Sequence, residues 1–263
     1  EVGYPPLDLL DLYAPAPNGG VRHAMSGDRR PFRSRDIAYR NVVFEVTAPP
    51  GVHTHYLRVE TTGPVTIPLR AWSQRAFFDA INVSYPQLWM FYGWMIVMGL
   101  YNLFLFFAIR DVAYLHYVLY LVSFTLFESA FNGLAFQYLW PEATWWVNHC
   151  NPALIGLSFA TGAQFLRSFL NTRQESPRFH RWFGWLGWGG GALTVLVALI
   201  GPPWLRVRVA VAVSLAVVGC GLPLVISIAM RGQRQARYFL GAWLLFVTGV
   251  SLYLLTSIGV LTV

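Results

Sequence analysis

Apolar residues in this chain follow two different patterns. From Leu88 to Trp140 they run almost without interruption, as LWMFYGWMIVMGLYNLFLFFAIRDVAYLHYVLYLVSFTLFESAFNGLAFQYLW, broken by one charged dipeptide, Arg110-Asp111. A bilayer core about 30 Å thick is crossed by roughly 20 apolar helical residues, and each half of the stretch meets that length. The dipeptide is then a turn at a membrane surface, and the stretch predicts a transmembrane helical hairpin. Further runs extend the pattern to six spans, at about 87–109, 114–138, 147–170, 182–201, 206–230 and 237–261. Pro86 fits the start of the first, where its missing amide hydrogen would have no partner in any case.

Residues 1–75 alternate instead with a period of two. Leu7–Tyr13, Val21–Met25, Asn41–Thr47, His55–Thr61 and Val65–Leu69 read as short strands, separated by turns such as APAPNGG, Ser26-Gly27-Asp28 and Pro49-Pro50-Gly51. Short alternating runs between turn signals predict an antiparallel sandwich. Five strands make only part of one, since such sandwiches usually have about seven or more. The fold class is therefore a polytopic α-helical membrane protein preceded by a partial antiparallel β-sandwich. Three regions follow: a β-domain over 1–75, a juxtamembrane linker over 76–86, and a helical domain over 87–263.

Composition supports the membrane reading. Charged residues are 12% of the chain, against about 25% in soluble domains. The net charge of +7 comes entirely from arginine, in no run longer than Arg29-Arg30. That argues against nucleic-acid binding. Arg110, then Arg173, Arg178 and Arg181, then Arg231, Arg234 and Arg237 occupy loops of alternate parity, with Arg206 and Arg208 the contrary pair. The positive-inside rule then puts the β-domain outside the cytoplasm. Trp89, Trp94, Trp140, Trp145, Trp146, Trp182, Trp185 and Trp204 sit near span ends, as an interfacial belt does.

Candidate chemistry is sparse. Cys150 and Cys220 fall inside apolar spans and read as small hydrophobes. His53 and His55 would share one face of a strand, but two ligands without a third make no metal site. The glycine run of Gly184 to Gly191 lacks the Lys-Ser or Lys-Thr of a phosphate loop and reads as close helix packing. No nucleophile, metal or cofactor motif is present. The one carboxylate deep within a span is Glu128, and at that depth it must face protein or water. Asn132 lies one turn away on the same face, and Asn148, His149 and Asn151 open the next span. These five form a candidate intramembrane polar cluster, with Asn148 or His149 the expected partner of Glu128. It reads either as a cavity coupling the outer domain to the helices or as a neutral Glu128 bonded across helices for packing.

The strings YNLFLFFAIRD (Tyr101–Asp111), YLHYVLYLVSF (Tyr114–Phe124) and NGLAFQYLWP (Asn132–Pro141) resemble the bacterial seven-transmembrane receptors with diverse intracellular signalling modules. In the β-domain the resemblance rests on Ser26-Gly27-Asp28, Pro31-Phe32, Arg35, Val43-Phe44, Tyr56–Val59 and Pro68–Ser73. It implies the second half of a jelly-roll-like periplasmic sensor for a carbohydrate or other small molecule, in a bacterial inner membrane. It also implies a cytoplasmic histidine kinase or diguanylate cyclase, dimerisation through that module, and no catalytic residue or cofactor within these residues. The alternative is a transporter or channel component, which should show internal repeats with paired broken helices; none is evident. A membrane-embedded enzyme would have only Glu128 and His149 to rest on. Six spans from an outer start return the chain outside, so the expectation is an internal piece of a longer receptor, with an export signal upstream and a seventh helix beyond Val263.

The topology is directly testable with cysteines at Ala113 and Thr144 in a background lacking Cys150. In cells with a permeabilised outer membrane, an impermeant thiol reagent should label position 144 and spare position 113. The reverse pattern would overturn the orientation.

Overall fold

The computed structural model describes residues 1–16, 20–47, 51–63 and 65–257. Strand β1 (Leu9–Pro15) lies between β2 (Val21–Ser26) and β3 (Tyr56–Glu60) in an antiparallel sheet of order β2-β1-β3. The register pairs Leu12 with Ala24 on one side and with Leu57 on the other. Leu10, Leu12 and Ala14 thus share an inner face, which packs with Val2, Leu7 and Val42.

Three of the five expected strands form. Asn41–Thr47 contributes only a bridge from Val42 to Val2, and Val65–Leu69 only a bridge from Leu69 to Val2. The reason is visible at Val42 and Val43, which are both buried and enter different clusters. A strand lying on one core cannot bury two consecutive side chains in it. Among the described residues a second sheet does not form, and Pro49-Pro50 of the expected closing turn lies outside them. His53 and His55 precede β3 and are exposed. Among the described residues no three His, Cys, Asp or Glu side chains come together to hold a metal.

Helix α1 (Gln74–Ile109) begins where Ser73 caps it, its hydroxyl accepting from the Ala76 amide at 3.3 Å. The expected linker at 76–86 is therefore its first three turns, and Pro86 lies inside the helix. After Arg110 in the left-handed region, Asp111 caps α2 (Val112–Phe131) through the Ala113 amide at 2.9 Å. The second expected span, 114–138, is broken at Asn132-Gly133, and a short α3 (Leu134–Tyr138) follows. Then come α4 (Thr144–Phe169), the single turn α5 (Thr172–Glu175), α6 (Pro177–Ile200), α7 (Pro203–Met230) and α8 (Arg234–Ser257). The expected end of the last span, 258–261, lies outside the described residues.

Six spans is an overcount. Among the described residues four helices are long and apolar enough to cross a membrane: α1, α2, α6 and α7, with mean hydropathies of 1.7, 1.2, 1.7 and 2.5. Helix α4 has the length but is too polar, and packing explains why. It touches α2, α6 and α7, and it buries residues all round, from Val147 and His149 to Ser158, Thr161 and Leu166. A helix enclosed by other helices has no need of a lipid-facing apolar surface.

The contact of α4 with α6 depends on small residues. A Cβ at Gly191 would lie 2.6 Å from the Ala160 Cβ and 2.9 Å from the Gly156 carbonyl; one at Gly187 would lie 2.7 Å from the Ala163 Cβ. Small side chains let helix backbones approach, which is how association is won where lipid tails are as apolar as leucine. Gly191→Leu should destabilise the bundle by about 1–3 kcal/mol through overpacking. Gly189→Leu, where nothing lies within 4 Å, should be close to neutral. Thermal unfolding in lipid nanodiscs measures both.

Candidate functional site: the junction of the β-domain with the helices

A strap from Gly27 to Asn41 leaves the sheet and lies across the α2–α3 break and the start of α4. Gly27 starts it at φ 128°, where a Cβ would strike the Asp8 carbonyl, so only glycine fits. The Phe32 amide donates to the Pro141 carbonyl at 2.9 Å, and the Phe32 ring meets Phe136 of α3 edge-on at 5.4 Å. Phe32, Phe136 and Val147 form a small core closed by Trp140. Further along, Arg40 Nη1 donates to the Asn132 carbonyl and Gln137 Nε2 to the Ala38 carbonyl. Tyr39 packs against Phe77 and Tyr85 of α1.

Gly133 makes this contact possible. It stands at φ 83°, and a Cβ there would sit 2.6 Å from the Arg40 carbonyl and 3.0 Å from Pro5. The helix break and the domain contact thus share one residue.

Two charges are buried in the junction. Arg35 donates through Nη1 to the Tyr39 and Arg40 carbonyls at 2.7 and 2.9 Å. Its guanidinium lies over the rings of Phe32 and Phe136, 4.7 and 5.2 Å from their centroids. Burial lowers its pKa to about 10, against the opposing pull of Asp28. The carboxyl of Asp28 is pushed up to about 7, first by burial and then by the charge of Asp8, while Arg29 and Arg35 oppose. The Asp28 backbone carbonyl accepts from Asn148 Nδ2 of α4 at 3.3 Å. Asp8 itself is engaged, pairing with Arg29 at 2.8 Å and accepting from the Thr62 hydroxyl and amide. Arg206, half of the contrary pair in the charge pattern, is within electrostatic reach of Arg29 and Asp8. Arg29 repels it more than Asp8 attracts it, and its Nε is held by the Gly201 carbonyl at 2.9 Å.

The five residues expected to form a polar cluster are placed near one another but do not converge. Asn132 Nδ2 donates to the Tyr92 hydroxyl of α1 at 2.6 Å, and its Oδ1 accepts from the Leu134 amide. Asn148 serves the carbonyls of Thr144 and Asp28. His149 is buried, bonds through Nδ1 to the Trp145 carbonyl and stacks on the Trp145 ring. Asn151 has a buried Oδ1 without a partner. Glu128 is half-buried, and among the described residues its carboxyl makes no hydrogen bond to Asn148 or His149. The expected pairing fails because both partners are already used by nearby backbone.

A second polar network lies at the other end of the bundle and escaped the sequence reading. Arg167 donates to Gln164 at 2.6 Å and meets His180 Nε2 at 2.8 Å; His180 Nδ1 pairs with the Thr172 hydroxyl. His116 of α2 bonds Ser168 at 2.7 Å. The signal was present, since Arg167 and His116 both fall inside expected spans. Gly184 leaves room for the guanidinium, because a Cβ there would lie 2.5 Å from it. The Arg231–Glu175 pair at 3.7 Å marks the same end, opposite the β-domain.

Comparison with known families settles the relationship. The 7TM diverse intracellular signalling domain matches residues 86–263, and the 7TMR-DISM extracellular 2 domain matches residues 1–73. The chain belongs to the 7TMR-DISM family. It is a membrane receptor of that family, with an extracellular sensor and an intracellular signalling role. The extracellular match ends at the Ser73 cap of α1, and the 7TM match begins at Pro86 inside that helix. No curated protein and no solved structure matches the chain.

Gly133→Val should release the strap, combining left-handed strain of about 1–2 kcal/mol with the clash on Arg40. Hydrogen exchange over residues 32–41 should accelerate at least tenfold. Gly93→Val, in open space on α1, should leave it unchanged.

Proposed function

We propose that this 7TMR-DISM chain binds an extracytoplasmic carbohydrate or other small molecule through its β-domain and passes the event to the helices through the strap. The observation that carries the reading is the seating of the strap on the α2–α3 break. A domain joined to its helices only by a tether has no route for a change of shape, whereas this one grips three helices at once. Phe32 and Arg35 reach α3, Asp28 reaches α4, and Tyr39 reaches α1. A ligand can shift such an equilibrium only by binding the two arrangements with different affinity.

The helices then carry the change to the opposite end of the bundle, where the Arg167–His180 network joins α4 to α6 and His116 joins α2 to α4. The output is a histidine kinase or diguanylate cyclase module outside these residues, in a two-component arrangement, and the receptor dimerises through it. The membrane is a bacterial inner membrane with the sensor in the periplasm. The alternation of arginine along the chain supports that orientation, with Arg206 and Arg208 the contrary pair.

The test uses the chain in lipid nanodiscs and a panel of neutral and acidic oligosaccharides. A sugar that binds should change exchange both in the sheet and in residues 28–41 and 132–148. Binding that leaves the junction unchanged would contradict transmission through the strap.

A further inference from the structure

We propose that the carboxyl of Asp28 is a proton-controlled latch between the β-domain and the helices, holding the strap docked when neutral and loosening it when charged. Asp28 is 5% exposed, lies in the Ser26-Gly27-Asp28 turn that opens the strap, and meets Asn148 of α4 with its backbone carbonyl, with the Asn148 amide also close to its carboxyl. Its Oδ1 is buried without a hydrogen-bond partner among the described residues. A buried carboxylate with one oxygen unpartnered is costly, whereas the protonated acid loses less.

The charges around it do not supply what it lacks. Arg35 is the nearest candidate, but its Nη1 is held by two carbonyls and its cation by two aromatic rings, while Nε and Nη2 are left without partners. Arg35 attracts Asp28 through its charge but gives it no hydrogen bond. Arg29 is committed to Asp8 at 2.8 Å, and Asp8 adds a like charge. From the sensor side Tyr4 also faces Asp28. From α4 the facing groups are Asn148 and the Cys150 thiol, neither a cation. Arg206 of α7 faces Asp8 and Arg29 instead.

The sign follows from linkage. Burial raises the docked carboxyl from 3.8 to about 7, so the docked state binds more protons than the released one. Docking is then favoured fully at low pH, weakens as pH rises from about 4 toward 7, and is flat above, the limit within that window being about tenfold per pH unit. Exposed in the released state, the same group titrates in the ordinary carboxylate range. The latch needs no ligand; its effect on signalling, but not its existence, rests on the coupling proposed above.

The experiment measures hydrogen exchange at the Phe32 amide, which donates to Pro141 across the junction, in nanodisc-embedded protein from pH 5 to 8.5. Dividing by the rate in Asp28→Asn at each pH removes the intrinsic dependence. The wild-type ratio should rise by up to about a hundredfold between pH 5 and 7.5 and then level. A second readout needs no variant: the Phe32 rate relative to strand amides of β1 in the same wild-type sample should rise likewise. A flat ratio in both would overturn the latch. So would a falling ratio, which would mean that charged Asp28 turns to Arg35 and tightens the junction. Because no ligand is present, failure here leaves the ligand-driven reading standing.

Discussion

Arg35 carries its charge where the β-domain meets the helices, and a cation there must be compensated without bulk water. The Tyr39 and Arg40 carbonyls take one nitrogen, and the faces of Phe32 and Phe136 cover the guanidinium. One ring belongs to the strap and the other to α3, so part of the compensation is present only while the two halves are together. Cation–ring contacts are worth about 2 kcal/mol or more when desolvated, enough to bias docking without making it permanent. The rest of the junction follows from that arrangement. Folding the strap so that Arg35 meets its own carbonyls brings Arg40 over the helix break, and only a glycine at 133 admits it.

The helical domain is built on a different economy. Its central helix, α4, is polar because it is enclosed, and its neighbours are apolar because they face lipid. Gly156, Ala160 and Ala163 meet Gly187 and Gly191 so closely that a single added carbon would have to displace a backbone. A seam of this kind resists sliding and suits a rigid lever between the junction and the Arg167 network.

Much of this was legible from the residues. The apolar runs marked where each long helix lies, although α1 begins thirteen residues before its expected start and α2 ends seven before its expected end. The Asn132-Gly133 break was not seen, because glycine within an apolar run carries no sign of the conformation it adopts. Asn41–Thr47 read as a strand because Val42, Phe44 and Val46 alternate, yet the neighbouring Val42 and Val43 are both buried, in separate cores. Glu128 drew attention by its charge and bonds to neither residue expected of it, whereas Asn132 and Asn148 do lie at the junction. Their partners there, Arg40 and Asp28, are more than ninety residues away in sequence, and no local pattern encodes them. Asp28 entered the reading as part of a turn and Arg35 only through resemblance to the family, and the structure supplies their physical reason.

The central claim is that the strap and the helices are energetically coupled through the Arg35 contact. A double-mutant cycle between Arg35→Met and Phe136→Leu, read from sensor unfolding in lipid nanodiscs, measures that coupling directly. The account predicts a non-additive pair, with an interaction of about 1 kcal/mol. Additive losses, within about 0.3 kcal/mol, would mean that the domain rests on the helices without being coupled to them.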